Sequence, residues 1–330
     1  MHISLTPFLV ERLRRERGAD SPEDFLGMDL RFAPYHAAPE ENDFSRYTAH
    51  FPPDTGIDEW GCGWRQVGYF HFTRTLNPME TFSSVQEVAD YPLPRRDPIV
   101  EEIRKEAEAI QARGLPAVSA YECGTFEQAQ ALMGMQALLA NMHLNPEMVR
   151  LLFDRISDIK ARIASGYVEG GADILFIGDD IGIQNGPLMD PAMWREFLIP
   201  PLKKITSRAR SVRPEIPIAY HSCGYVGFAV EGLIEAGVNI LQSVQPEVND
   251  PAELKARYGD RVAFWGGVGS QSTMSQGTPE DVKAQVKHLI ETVGRGGGYI
   301  CSPAHYVEPE SPLENIDAFL EAVEKYGYYR

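Results

Sequence analysis

The chain has 330 residues, 43% of them hydrophobic, which is enough for a sizeable core. Lys+Arg 31 against Asp+Glu 47 gives a net charge of −16. That balance argues against nucleic acid or an anionic membrane as the main partner.

No run approaches the roughly 18 apolar residues of a membrane span. The opening Met1-His2-Ile3-Ser4-Leu5-Thr6-Pro7 has neither the charged nor the apolar region of a signal peptide. A cytoplasmic location is therefore expected. Cys62, Cys123, Cys223 and Cys301 are then expected as thiols or ligands rather than disulfides.

In chain order, a short charged helix is expected over about 6–17, ahead of Pro- and Asp-rich segments. From Gly61 to Arg74, Trp64, Val67, Tyr69, Phe70 and Phe72 with glycines between them predict an antiparallel hairpin. Pro92, Pro94 and Pro98 mark a linker. Residues 1–98 are expected to lid the active face, and 1–330 to form one domain.

From residue 99 the pattern alternates between helix and strand. Helices are expected at 99–113, 126–141, 146–169, 191–210, 227–236, 251–258, 279–293 and 312–326. Strands are expected at 115–121, 172–177, 217–221, 238–244, 261–266 and 298–302, with one or two more in the first 75 residues. Asp190 is placed to cap the helix that Pro191 opens. Strands with little two-residue alternation, separated by helices, predict a parallel sheet. The unit length and count favour an α/β fold of the (β/α)8 TIM barrel type with an N-terminal extension.

In such barrels chemistry sits at the C-terminal strand ends, and the unusual residues fall there. They are Glu122-Cys123-Gly124, Gly178-Asp179-Asp180 with Gln184, His221-Ser222-Cys223-Gly224, Gln245-Pro246-Glu247, Trp265-Gly266-Gly267 and Cys301-Ser302-Pro303-Ala304-His305-Tyr306. His221 and Cys223 are two apart after a strand, so an imidazole and a thiol can reach one ion from one side. A borderline-soft cation such as Zn2+ suits that pair. Gly266-Gly267 and Gly296-Gly297-Gly298 lack the spacing of phosphate loops and read as close turns. Cys62 reads as a packed thiol and His288 as a surface residue.

Several of these runs resemble the uroporphyrinogen decarboxylase superfamily. They are Gly178-Asp179-Asp180-x-Gly182-x-Gln184-x-Gly186, Met189-x-Pro191-x-x-Trp194-Arg195-Glu196 and His221-Ser222-Cys223-Gly224. Phe264-Trp265-Gly266-Gly267, Pro303-x-His305 and Glu314-Asn315-Ile316 complete the likeness. It runs from about 115 to 326, with an echo at Asp58-Glu59-Trp60-Gly61.

The resemblance implies a (β/α)8 barrel and one of two chemistries. The arginine-rich segment with which true decarboxylases grip a porphyrinogen is absent; the matching region reads Leu30-Arg31-Phe32-Ala33-Pro34-Tyr35-His36. The corrinoid-dependent methyltransferase branch carries zinc on His-x-Cys and a later cysteine. His221 and Cys223 match the first half. Cys301, His305 or both complete it, with Glu247 as a weakly held fourth ligand. A fully extended step from Cys301 to His305 spans about 13 Å, so both can meet one ion only if the chain turns at Ser302–Ala304, as Pro303 allows.

The resemblance further implies a corrinoid (cobalamin) on a partner protein, a small methyl donor or acceptor, and a homodimer. Asp180, Glu122 and His305 are the candidate catalytic residues. Asp179, Gln184, Tyr220, Gln245 and Tyr306 are expected to line the pocket, with Trp265 stacked on a planar substrate. Two other readings are a metal-free decarboxylase acting on a small carboxylate and a binding protein without chemistry.

Overall fold

The computed structural model describes residues 1–67 and 73–328. Its centre is a six-stranded parallel sheet. The strand order is Tyr299–Pro303, Ala263–Val268, Ile240–Ser243, Ile218–His221, Leu175–Gly178 and Glu122–Cys123. Helices connect the strands, as an all-parallel order requires. Arg31–Ala33 and Ala117–Ser119 form a further parallel pair. Ser119 N–H donates to Ile174 O at 2.9 Å, tying that pair towards the sheet. At the other edge, His2 N–H donates to Cys301 O at 3.1 Å and Asp29 N–H to Met1 O at 3.1 Å.

The expected hairpin is present as Gly63–Gln66 against Thr73–Leu76, with Gly56–Ile57 as a third antiparallel strand. Tyr69, Phe70 and Phe72 lie outside the described residues. Two expected elements are divided. The helix over 126–141 becomes Thr125–Met133 and Met135–Leu144, because Gly134 takes φ +84° and interrupts the ladder. The strand over 115–121 becomes Ala117–Ser119 against Arg31–Ala33, then Glu122–Cys123 against Leu175–Gly178. Asp190 caps Pro191–Val212 as expected, accepting from Ala192 N–H at 2.8 Å.

Each central strand packs two faces. Ile218, Tyr220, Ile177, Leu241, Phe264 and Cys301 join the large core that includes helical Leu152 and Phe197. Ala219, Phe176, Ile240 and Trp265 join Leu30 and Val118 in a smaller cluster on the opposite, inner face. Side chains alternate along a strand, so His221 and Gln242, two beyond Ala219 and Ile240, continue the inner face. Cys301 follows inner-facing Ile300 and turns outward.

Gly178 stands beside His221 in the register. A Cβ at 178 would lie 2.6 Å from His221 Cβ. Gly178→Ala should therefore push the two strands apart and cost about 1–3 kcal/mol. Denaturant melting checks this; an unchanged midpoint would contradict the close approach.

Candidate metal centre and adjoining cavities

The Ile218–His221 strand delivers His221 to the sheet's C-terminal edge, and Gly224 (φ +73°) turns the chain just beyond Cys223. His305 comes from the loop after Tyr299–Pro303. Its N–H donates to Ser270 Oγ at 2.9 Å, and that hydroxyl donates back to His305 O at 3.2 Å. Ser270 opens a single π turn, Ser270–Met274, that the sequence reading did not foresee. One donor atom each from His221, Cys223 and His305 lies within 4.8 Å of the others. Two imidazole nitrogens and one sulfur form a donor set suited to zinc.

His221 is held at both ring nitrogens. Nδ1 meets Gln242 Oε1, and a carboxamide oxygen only accepts, so Nδ1 carries the proton. Nε2 is then free to accept and lies 3.4 Å from Cys223 Sγ and 3.5 Å from Asp180 Oδ1. Asp180 Oδ1 also accepts Cys223 N–H at 2.7 Å. Burial, then the charge of Asp180, push the Cys223 thiol well above its ordinary range.

Of the expected ligands, the structure does not bring Cys301 or Glu247 into this group. Cys301 is 7% exposed on the outer, helix-facing side, because the two-residue strand period turns it there. Glu247 Oε1 instead accepts from Ser272 Oγ at 2.7 Å and Ser272 N–H at 3.2 Å. Tyr220 is likewise buried on the outer face and lines none of the three cavities near this centre. Trp265 is fully buried beneath the inner aromatic residues. Gln245 Nε2 donates to Gln184 Oε1 at 3.1 Å, and Gln245 Oε1 accepts Gly224 N–H at 3.1 Å.

Three cavities meet near this centre. One of about 490 Å³ is lined by His221, His305, Phe32, Tyr121, Phe176 and Tyr306, among others. A smaller one of about 250 Å³ holds Cys223, His305, Gln184, Gln245 and Glu247. The largest, about 700 Å³, lies across Tyr121 and includes Trp60, Arg96, Glu122 and Glu127. Glu122 is paired there with Lys160, which is only 2% exposed and sits 4.8 Å from the Trp60 ring centre.

Gln242, Glu127, Tyr121, Phe32 and Ser270 were missed from sequence. Gln242 had a readable signal, a polar residue within the apolar strand Ile240–Ser243. Glu127 accepts from Tyr121 OH at 2.8 Å and from Asp180 N–H at 3.3 Å. Its own N–H donates to Asp179 Oδ1 at 2.8 Å. Burial, then the charge of Asp180, raise Glu127 from 4.5 to about 7. Burial, then Glu127, raise Asp179 well above its usual range.

The folded chain thus keeps protons that the unfolded chain releases. Stability from this cluster is present below about pH 4.5 and is lost as pH rises through about 7. Glu127→Gln should flatten the fall in melting temperature between pH 5 and pH 8, a change on the order of 1–3 kcal/mol. An unchanged slope would show that Glu127 does not carry the proton.

The sequence model of the uroporphyrinogen decarboxylase (URO-D) family matches residues 71–326. A methylcobamide:CoM methyltransferase MtaA of Methanosarcina barkeri is 32% identical over 179 residues, 53% of this chain and 49% of that protein. The match thus spans about half the length of that relative. A uroporphyrinogen decarboxylase of a Synechococcus strain is 25% identical over 93% of this chain and 84% of its own. The structure of a methyltransferase from Methanosarcina mazei shares the fold at TM-score 0.71 and 20% identity, covering 98% of this chain and 93% of that one. With a family match over residues 71–326, the chain belongs to the uroporphyrinogen decarboxylase family.

Proposed function

We propose that this chain transfers a methyl group between a small molecule and a corrinoid on a partner protein, at a zinc ion held by His221, Cys223 and His305. The observation that carries this reading is the convergence of those three N, S and N donors within 4.8 Å. Similarity over half the chain to a methylcobamide:CoM methyltransferase supports it. Zinc with three protein ligands keeps an open position that activates a thiol acceptor or polarises a methyl-bearing atom.

The chain's own residues prepare that position. Gln242 fixes the His221 tautomer, a hydrogen bond of the kind that orients metal-binding imidazoles. Asp180 holds the Cys223 backbone and lies beside His221. Glu127 and Asp179 keep a proton near the centre at neutral pH, available to a departing or arriving group. Glu122, tied to Lys160, orients that wall rather than moving protons.

For the fold we propose the full (β/α)8 barrel. The N-terminal residues, Arg31–Ala33 and Ala117–Ser119 complete the ring begun by the longer strands, and residues 1–98 cover its mouth. A metal-free decarboxylase is the second reading, and the relative matched over 93% of the chain favours it. Against it, the cavity beside His221 has no Lys or Arg among its described lining residues to receive a carboxylate.

Metal analysis of the purified chain is the test. We expect about one zinc per chain, kept in Cys301→Ser and lost in His221→Ala and His305→Ala. Gln242→Leu should weaken zinc binding roughly 10–100-fold. Loss of zinc should abolish methyl transfer to or from free cobalamin, followed by absorbance. A zinc-free chain after reconstitution would overturn the reading.

A further inference from the structure

Proteins rarely leave several aromatic side chains exposed around one hollow without a ligand to cover them. Phe32 (37% exposed), Tyr121 (39%) and Tyr306 (49%) all line the 490 Å³ cavity beside His221 and His305. Among the described residues no Asp, Glu, Lys or Arg lines it. His2 also lines it and is uncharged at neutral pH: burial, then the N-terminal amine and Arg31, lower it to about 3. Away from His221, His305 and the ion proposed there, the cavity wall therefore offers no charge to an anion or a carboxylate.

The ring orientations narrow the class further. Phe32 is stacked at 26° to Phe176 and at 12° to Trp265, and Phe176 lies at 30° to Trp265. Phe32 and Phe176 line the cavity with near-parallel rings backed by buried Trp265, and a planar ring can extend that offset stack. A methylated ammonium is instead held by rings that box it from several directions. The His221 ring stands edge-on to Phe176 at 88°, at the end of this wall. Away from it, His2 is 4% exposed, and its Nδ1 is buried with no hydrogen-bond partner among the described residues. A ligand hydroxyl would satisfy it.

We infer that this cavity takes an uncharged, single-ring aromatic molecule whose oxygen or sulfur substituent faces His221, Cys223 and His305. The inference deepens the methyl-transfer reading, which it presupposes for turnover but not for binding. The ring stacks on Phe32 and Phe176 and is closed over by Tyr306. A donor of this class carries its methyl on that oxygen or sulfur, and an acceptor presents the free phenol or thiol there.

The test is calorimetric titration of the full chain, chelator-treated and zinc-loaded, with anisole, phenol, benzoate and tetramethylammonium. Anisole and phenol should bind both forms. Phe32→Ala and Tyr306→Ala should weaken anisole by about tenfold, whereas Tyr306→Phe should keep it within about twofold. Melting curves confirm that each variant folds. In the chelator-treated chain, benzoate or tetramethylammonium binding as well as anisole would overturn the assignment. So would unchanged anisole affinity in both alanine variants. Ring binding in the chelated chain is read separately from zinc content, so failure of this inference is distinct from failure of the metal reading.

Discussion

The position of one imidazole governs the rest of the candidate centre. His221 ends a strand whose neighbours meet it in register, Gly178 on one side and Gln242 on the other. Gly178 gives it room, and Gln242 accepts the hydrogen bond from its Nδ1–H. Only with that proton fixed does Nε2 point its lone pair towards Cys223 and the open space beyond. The other two donors arrive from loops. Asp180 holds Cys223 through its backbone, and Ser270 holds His305 through its own. Nothing in this arrangement depends on long flexible side chains, so the donors are placed before any ion binds. Such preorganisation lowers the cost of binding.

Two environments meet at Tyr121. On one side lies the large polar cavity with Glu122, Glu127 and Arg96. On the other is the uncharged aromatic cavity beside the donors. The Tyr121 hydroxyl donates to Glu127, so its ring face is left for the apolar side. Low polarity there strengthens every electrostatic interaction at the centre, and Asp180, beside His221, links the centre to Glu127, which accepts the Asp180 N–H.

The sequence made the parallel sheet legible because each βα unit has its own apolar strand and capped helix. His221 and Cys223 were legible because strand alternation needs no tertiary information. The same alternation, applied to inner-facing Ile300 and its successor Cys301, excludes that thiol from the inner face. His305 was undecided from sequence because the turn at Pro303 and the Ser270 anchor are tertiary facts. Phe32 and His2 were invisible for a different reason. They sit in short, irregular segments whose pairing partners lie about 85 or more residues away, and no local period marks such contacts.

The central claim is that the ion is held by two nitrogens and one sulfur of this chain. X-ray absorption at the zinc edge of the purified, zinc-loaded protein tests it most directly. The account predicts one sulfur scatterer at about 2.3 Å, with the remaining protein donors being nitrogen at about 2.0–2.1 Å. Two sulfurs would place Cys301 at the metal and contradict the geometry. A shell of light atoms alone would remove Cys223 and with it the proposed centre.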